Sequence, residues 1–126
     1  MKHKILVAAG ENRLERMIYL DGYHNTNLPR NIHTRLCWPE DALERLQEKK
    51  YSGIITEFRY FIKSSNNDST PEGILIYNQA IIQRIPLIFL TPTTENDSDL
   101  YEFTRTKDIP VLDDKQALVT LLSKLH

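Results

Sequence analysis

Short, continuously apolar runs alternating with amphipathic stretches constrain this chain more than any other feature of its sequence. "KILVAA" (4–9), "SGIITE" (52–57), "IPLIFL" (85–90) and "IPVL" (109–112) are nearly free of polar residues before they end, and "IHTRLCW" (32–38) is a further candidate. Runs of that length without alternation are what parallel strands covered on both faces require. Between them the spacing becomes helical. In "ENRLERMIYL" (11–20), Leu14, Met17 and Ile18 share one stripe, and Gly22 closes the pattern. "PEDALERLQEKK" (39–50) opens on Pro39 and two acids and ends on two lysines, in keeping with proline tolerance and dipole preference at helix ends. A third helix is expected over 73–84 and a short one within "NDSDLYEFTRTK" (96–107). Asp113 or Asp114 caps a last helix, with Ala117, Leu118, Leu121, Leu122 and Leu125 on its stripe. "KSSNNDSTPEG" (63–73) reads as a polar surface loop.

Five strands alternating with five helices imply an α/β fold, an open five-stranded parallel sheet with helices on both faces. Right-handed crossovers leave few topologies, and the expectation is a flavodoxin-like three-layer sandwich in strand order 2-1-3-4-5, a single domain over 1–126. In such sheets function gathers at the carboxyl ends of the central strands, near the switch point between the first and third. Ala9, Gly10, Glu11, Glu57, Thr91 and Leu112 fall there. Composition removes other classes. With 16 basic and 17 acidic residues and a net charge of -1, no extended positive face is expected for nucleic acid. No apolar run nears the roughly 20 residues that cross a bilayer, so no membrane association is expected and the location is read as cytoplasmic. One cysteine, Cys37, excludes an internal disulfide and is read as buried packing.

"ILVAAGENRLERM", "EDALERLQEKKYSGIITE" and "PLIFLT" resemble, in order and spacing, the corresponding parts of response-regulator receiver domains of two-component signal transduction, and the resemblance spans nearly the whole chain. It implies an acidic pair at Ala9 and Gly10, a phosphoacceptor at Glu57, a switch hydroxyl at Thr91 and a lysine at about Val111; only the hydroxyl survives unchanged. Mg²⁺ is held through one or two carboxylates, and Ala9 and Gly10 supply none, while Glu11 takes an outer place. The chain is therefore similar to a degenerate, phosphorylation-independent pseudo-receiver without cofactor or metal. It is expected to act by protein-protein interaction with another signalling protein or a second copy of itself. Glu57 is read as a partly solvated carboxylate, either a fixed negative charge in the phosphoryl position or a plain strand end.

Trp38, Tyr51, Phe58, Tyr60 and Phe61 concentrate around the second and third strands. Most are expected in the core, with Tyr60 and Phe61 placed either to cap a pocket or to meet a partner. His3, His24, His33 and His126 lack ligand spacing. An enzyme reading stays open beside the receiver reading: "KILVAAG" with "EGILIYNQAIIQRIPLIFL" is also similar to nucleoside deoxyribosyltransferase-like N-glycosidases, or to another nucleotide-binding α/β enzyme. Leu75, Ile76, Tyr77 and Asn78 occupy the turn where that family carries its catalytic glutamate, and Glu72 only precedes it.

Overall fold

The computed structural model describes residues 3–10, 32–58, 72–91 and 98–125. Five strands, β1 (His3–Ala8), β2 (Ile32–Cys37), β3 (Gly53–Thr56), β4 (Leu87–Leu90) and β5 (Val111–Leu112), form one sheet in the order β2-β1-β3-β4-β5. Every pairing is parallel. The described helices are α1 (Pro39–Leu46), α2 (Glu72–Gln83), α3 (Ser98–Lys107) and α4 (Asp114–Ser123). This is the flavodoxin-like α/β architecture read from the sequence. The helix expected over 11–20 lies outside the described residues, as does most of the 63–73 loop.

Side-chain alternation along the strands builds two cores. Leu6 and Ala8 of β1, Ile54 of β3 and Leu87 and Phe89 of β4 face α1, α2 and α3 through Ala42, Leu46, Ile76, Ala80 and Leu100. Ile5, Val7, Ala9, Ile55, Ile88 and Leu90 face the opposite way, onto Ala117, Leu118 and Leu121 of α4. A strand buried on both sides cannot alternate apolar with polar residues, which is why these segments read as unbroken runs. Asp113, not Asp114, caps α4: its side chain accepts from the Gln116 N–H at 2.8 Å.

Helix ends follow backbone more than composition. α1 stops at Leu46, short of the expected residue 50. Gln47, Glu48 and Lys49 each donate to the carbonyl three residues back, and Lys49 then turns left-handed at φ 53°. α2 and α3 leave by one shared device. Arg84 and Asp108 take φ 58° and 55°, and the next residues, Ile85 and Ile109, donate to Ala80 and Thr104 five residues back. That bond and its left-handed turn are those of a Schellman closure, with an isoleucine as the apolar plug. A proline follows each time. Lacking N–H, Pro86 and Pro110 sit just before the strands and accept from Ile54 and Phe89 at 3.0 Å.

Trp38 departs from expectation at 41% exposure, whereas Tyr51 and Phe58 are buried. Cys37 ends β2 with its side chain in the core, so the next residue leaves the sheet as the extended N-cap of α1.

Gly73 governs how α2 meets the sheet. A Cβ there would lie 2.6 Å from the Phe58 Cα and 2.7 Å from the Phe58 carbonyl oxygen, both main-chain atoms, and the Gly73 N–H donates to that carbonyl at 2.8 Å. Helix propensity alone would favour alanine at Gly73 by up to about 1 kcal/mol. The clash outweighs it: Gly73→Ala is expected to lower the unfolding free energy by about 1–3 kcal/mol in urea melts, the usual range for overpacking. A stabilised variant would mean that α2 is free to shift away from Phe58.

Candidate functional site

The carboxyl edge of the sheet collects the positions singled out from the sequence. β1 and β3 run in register from Ile5↔Gly53 to Ala8↔Thr56, so the residues that follow them, Ala9, Gly10 and Glu57, emerge side by side. The Glu57 N–H extends the ladder to the Ala8 carbonyl at 2.9 Å, and the Ala9 N–H does the same toward Cys37 at 3.1 Å. One strand further, the Thr91 N–H donates to the Leu112 carbonyl at 2.9 Å. Ala9, Glu57, Thr91 and Leu112 therefore line one edge. Val111 does not join them: it pairs with Phe89 and packs into the core on the α1–α3 side. Glu11, Tyr60, Phe61, His24 and His126 lie outside the described residues.

Glu57 is not the partly solvated carboxylate expected from the sequence. It is 8% exposed, and the Gly10 backbone N–H donates to its Oε1. Burying a carboxylate without hydrogen bonds is costly, and a main-chain donor at a strand exit offsets part of that cost. The neighbouring Thr56 is fully buried, and its hydroxyl donates to the Glu57 carbonyl at 3.0 Å. Phe58 then turns back into the core, edge-on to Phe89 at 5.4 Å between ring centroids. Glu57 is thus anchored on both sides along the chain and through its side chain. In the sequence Gly10 stands out only as a position where the resemblance implies an acid. The signal for its role was present in the strand pairing, because any residue after β1 meets the residue after β3.

Beside Phe58, a cavity of about 390 Å³ opens between α2 and α3, lined by Phe58, Ile74, Asp99, Glu102, Phe103 and Thr106. Its floor belongs to an aromatic cluster in which Phe103 contacts Phe58, Tyr77 and Phe89 at centroid distances of 5.6, 5.2 and 6.3 Å. Neither carboxylate on its rim was singled out from the sequence, since two acids on a weak helix carry no motif. Among the described residues, no three His, Cys, Asp or Glu side chains group as metal ligands. No described helix is long and apolar enough to cross a membrane.

Cys37 is buried, as expected. Burial, reinforced by the nearby Asp41 charge, pushes its thiol up from 9.0 to about 12. The nucleophilic thiolate is correspondingly scarce at neutral pH.

Set against known protein families, curated proteins and solved structures, the chain finds no match in any of the three.

Two outcomes follow from this geometry. Glu57→Ala leaves the Gly10 donor without its carboxylate and is expected to destabilise the fold by about 1–3 kcal/mol, with Glu57→Gln, which keeps an acceptor, costing less. Urea melts of the three proteins check this, and a loss no larger than that of an ordinary surface substitution would show the carboxylate to be loosely held. For Cys37, a thiol pKa raised by folding favours the native state fully below the unfolded value. That contribution is then lost as pH rises from about 9 toward about 12. Melts should show it as a decline that Cys37→Ala removes, and native-state alkylation at pH 8 should run far slower than alkylation in urea.

Proposed function

We propose that the chain is a receiver-like module that works by protein contact and not by phosphoryl transfer. One observation carries the reading: the end of the central strand, where such a module would hold its phosphoacceptor, holds Glu57, and Gly10, at a position where the resemblance implies an acid, donates its backbone N–H to that carboxylate. Phosphoryl transfer to a carboxylate needs a metal ion to neutralise the charge gathering between acid and phosphate. Ala9 is fully buried and apolar and Gly10 has no side chain, so neither position supplies a metal ligand. The extra methylene of glutamate over aspartate also displaces any attacking oxygen by an ångström or more, enough to lose an in-line geometry.

In this proposal Glu57 supplies permanently the negative charge that phosphorylation would add transiently. The carboxyl edge stays in one arrangement, with Thr91 as the neighbouring hydroxyl. The module is not an enzyme. Its partner is another signalling protein or a second copy of the chain, and a cytoplasmic two-component pathway is the setting that such a module serves.

Incubation with acetyl phosphate and Mg²⁺ is expected to leave intact mass, the amide shifts of Gly10 and Glu57, and the sedimentation coefficient unchanged. Glu57→Gln is expected to weaken self-association or capture of the partner more than a charge-neutral surface change does. A Mg²⁺-dependent phosphoryl adduct on Glu57 would overturn the proposal.

A further inference from the structure

The amino half of the sheet gathers basic side chains that the reading above does not use. Lys4 precedes Leu6 and Ala8 by even steps, and Arg35 precedes Cys37 by two, so both point to the face of the sheet covered by α1. The turn between α1 and β3 folds over the same corner. The Ser52 N–H donates to the Lys4 carbonyl at 2.7 Å, and the Lys50 Nζ lies 2.7 Å from the Glu48 carboxylate. The Tyr51 hydroxyl donates to Glu48 at 3.2 Å, and the Lys4 Nζ stands 5.9 Å from the centre of the Tyr51 ring. Tyr51 is buried, so this corner is fixed to the core and not a loose group of lysines.

The charges there do not balance. Among the described residues, Glu48 is the carboxylate acting on Lys4, against two cations, Lys50 and Arg35. The Lys50 amine beside it, more than any other influence, holds Lys4 below the ordinary lysine range. Glu48 in turn raises Lys50, and Lys50 lowers Glu48. Among the described residues, two ammonium groups and a guanidinium share this part of the sheet with Glu48, already engaged by Lys50 and Tyr51, and with Asp41 near Cys37, so donors stay in excess. An anion with several oxygens would take them. Sulfate and phosphate have the needed oxygens, and a guanidinium fork with two ammonium groups suits a tetrahedral dianion better than a planar monoanion.

We propose that Lys4, Arg35 and Lys50 form a binding site for a phosphate-class dianion, a terminal phosphate ester being its natural form. The site runs from the amino edge at Lys4 to mid-strand at Arg35, roughly 17 to 10 Å of strand from Glu57. It stands independently of the receiver reading.

The test is a titration of the full chain with inorganic phosphate, followed by ¹⁵N amide shifts and run beside sulfate and chloride at matched ionic strength. Parallel arms use glycerol 3-phosphate and vesicles carrying phosphatidic acid, and whichever binds more tightly names the source of the phosphate. The expected result is saturable movement of Lys4, Lys50 and Ser52 with phosphate and sulfate but not with chloride. Lys4→Gln or Lys50→Gln should weaken binding about tenfold, the loss of one charge-assisted hydrogen bond. Glu48→Gln should tighten it by removing the competing carboxylate. Glu48 and Lys50 are exposed and Lys4 is half-buried, and unchanged urea melts would confirm that the fold is kept. Linear, unsaturated shifts shared with chloride, or binding indifferent to both lysine variants, would overturn the proposal.

Discussion

Parallel pairing of β1 with β3 buries both strands on both faces, and the rest of the molecule is arranged around that burial. Ile5, Leu6, Val7, Ala8, Ile54, Ile55 and Thr56 are all fully inaccessible. A sheet centre of this kind needs a helical layer on each side, and each completely buried aliphatic side chain contributes about 1.5–3 kcal/mol relative to exposure. The same pairing decides the chemistry of the carboxyl edge. Because Ala8 stands opposite Thr56, the first main-chain donor after β1 that the ladder does not use meets the first side chain after β3. Residue 57 is therefore judged by what β1 leaves open, and a carboxylate there finds a hydrogen-bond donor in place of water.

α2 is coupled to that edge through contact with the main chain. Its second residue, Gly73, rests on the backbone of Phe58, one residue beyond Glu57, while Phe58 itself packs against Phe89 and Phe103. A displacement of Glu57 would therefore be felt at the start of α2 and in the aromatic cluster under α3. The opposite end of α2 is tied as well, with the Gln83 amide donating to the Leu46 carbonyl of α1 at 2.8 Å.

Most of the architecture was legible because it depends on burial, and burial is written in the runs. Strand identity, the stripe of α4 and the buried state of Cys37 follow from where apolar residues sit and how they are spaced, and the strand order from the few topologies that right-handed crossovers leave. The misreadings share a different origin. Glu57 reads as partly solvated because a strand end in sequence does not disclose which backbone donors stand across from it. Trp38 belongs by composition with the core aromatics, but its place one residue beyond Cys37 turns it outward. Lys49 and Lys50 look in sequence like the end of α1, whereas the helix stops at Leu46, ahead of the left-handed step at Lys49. The repeated Ile-Pro pair at Ile85–Pro86 and Ile109–Pro110 was visible in the sequence, yet read only as the start of a strand. Its meaning as a helix closure needs the positive φ of the residue before it, which an arginine or an aspartate does not advertise.

The hydrogen bond from Gly10 to Glu57 has a further consequence, best put in terms of competition. A carboxylate fixed by its own main chain faces that N–H at an effective concentration far above any that a free solute attains. A dissolved anion arriving at the carboxyl edge would have to displace a rival that cannot diffuse away. That donor is consequently closed to a dissolved anion for as long as Glu57 holds it.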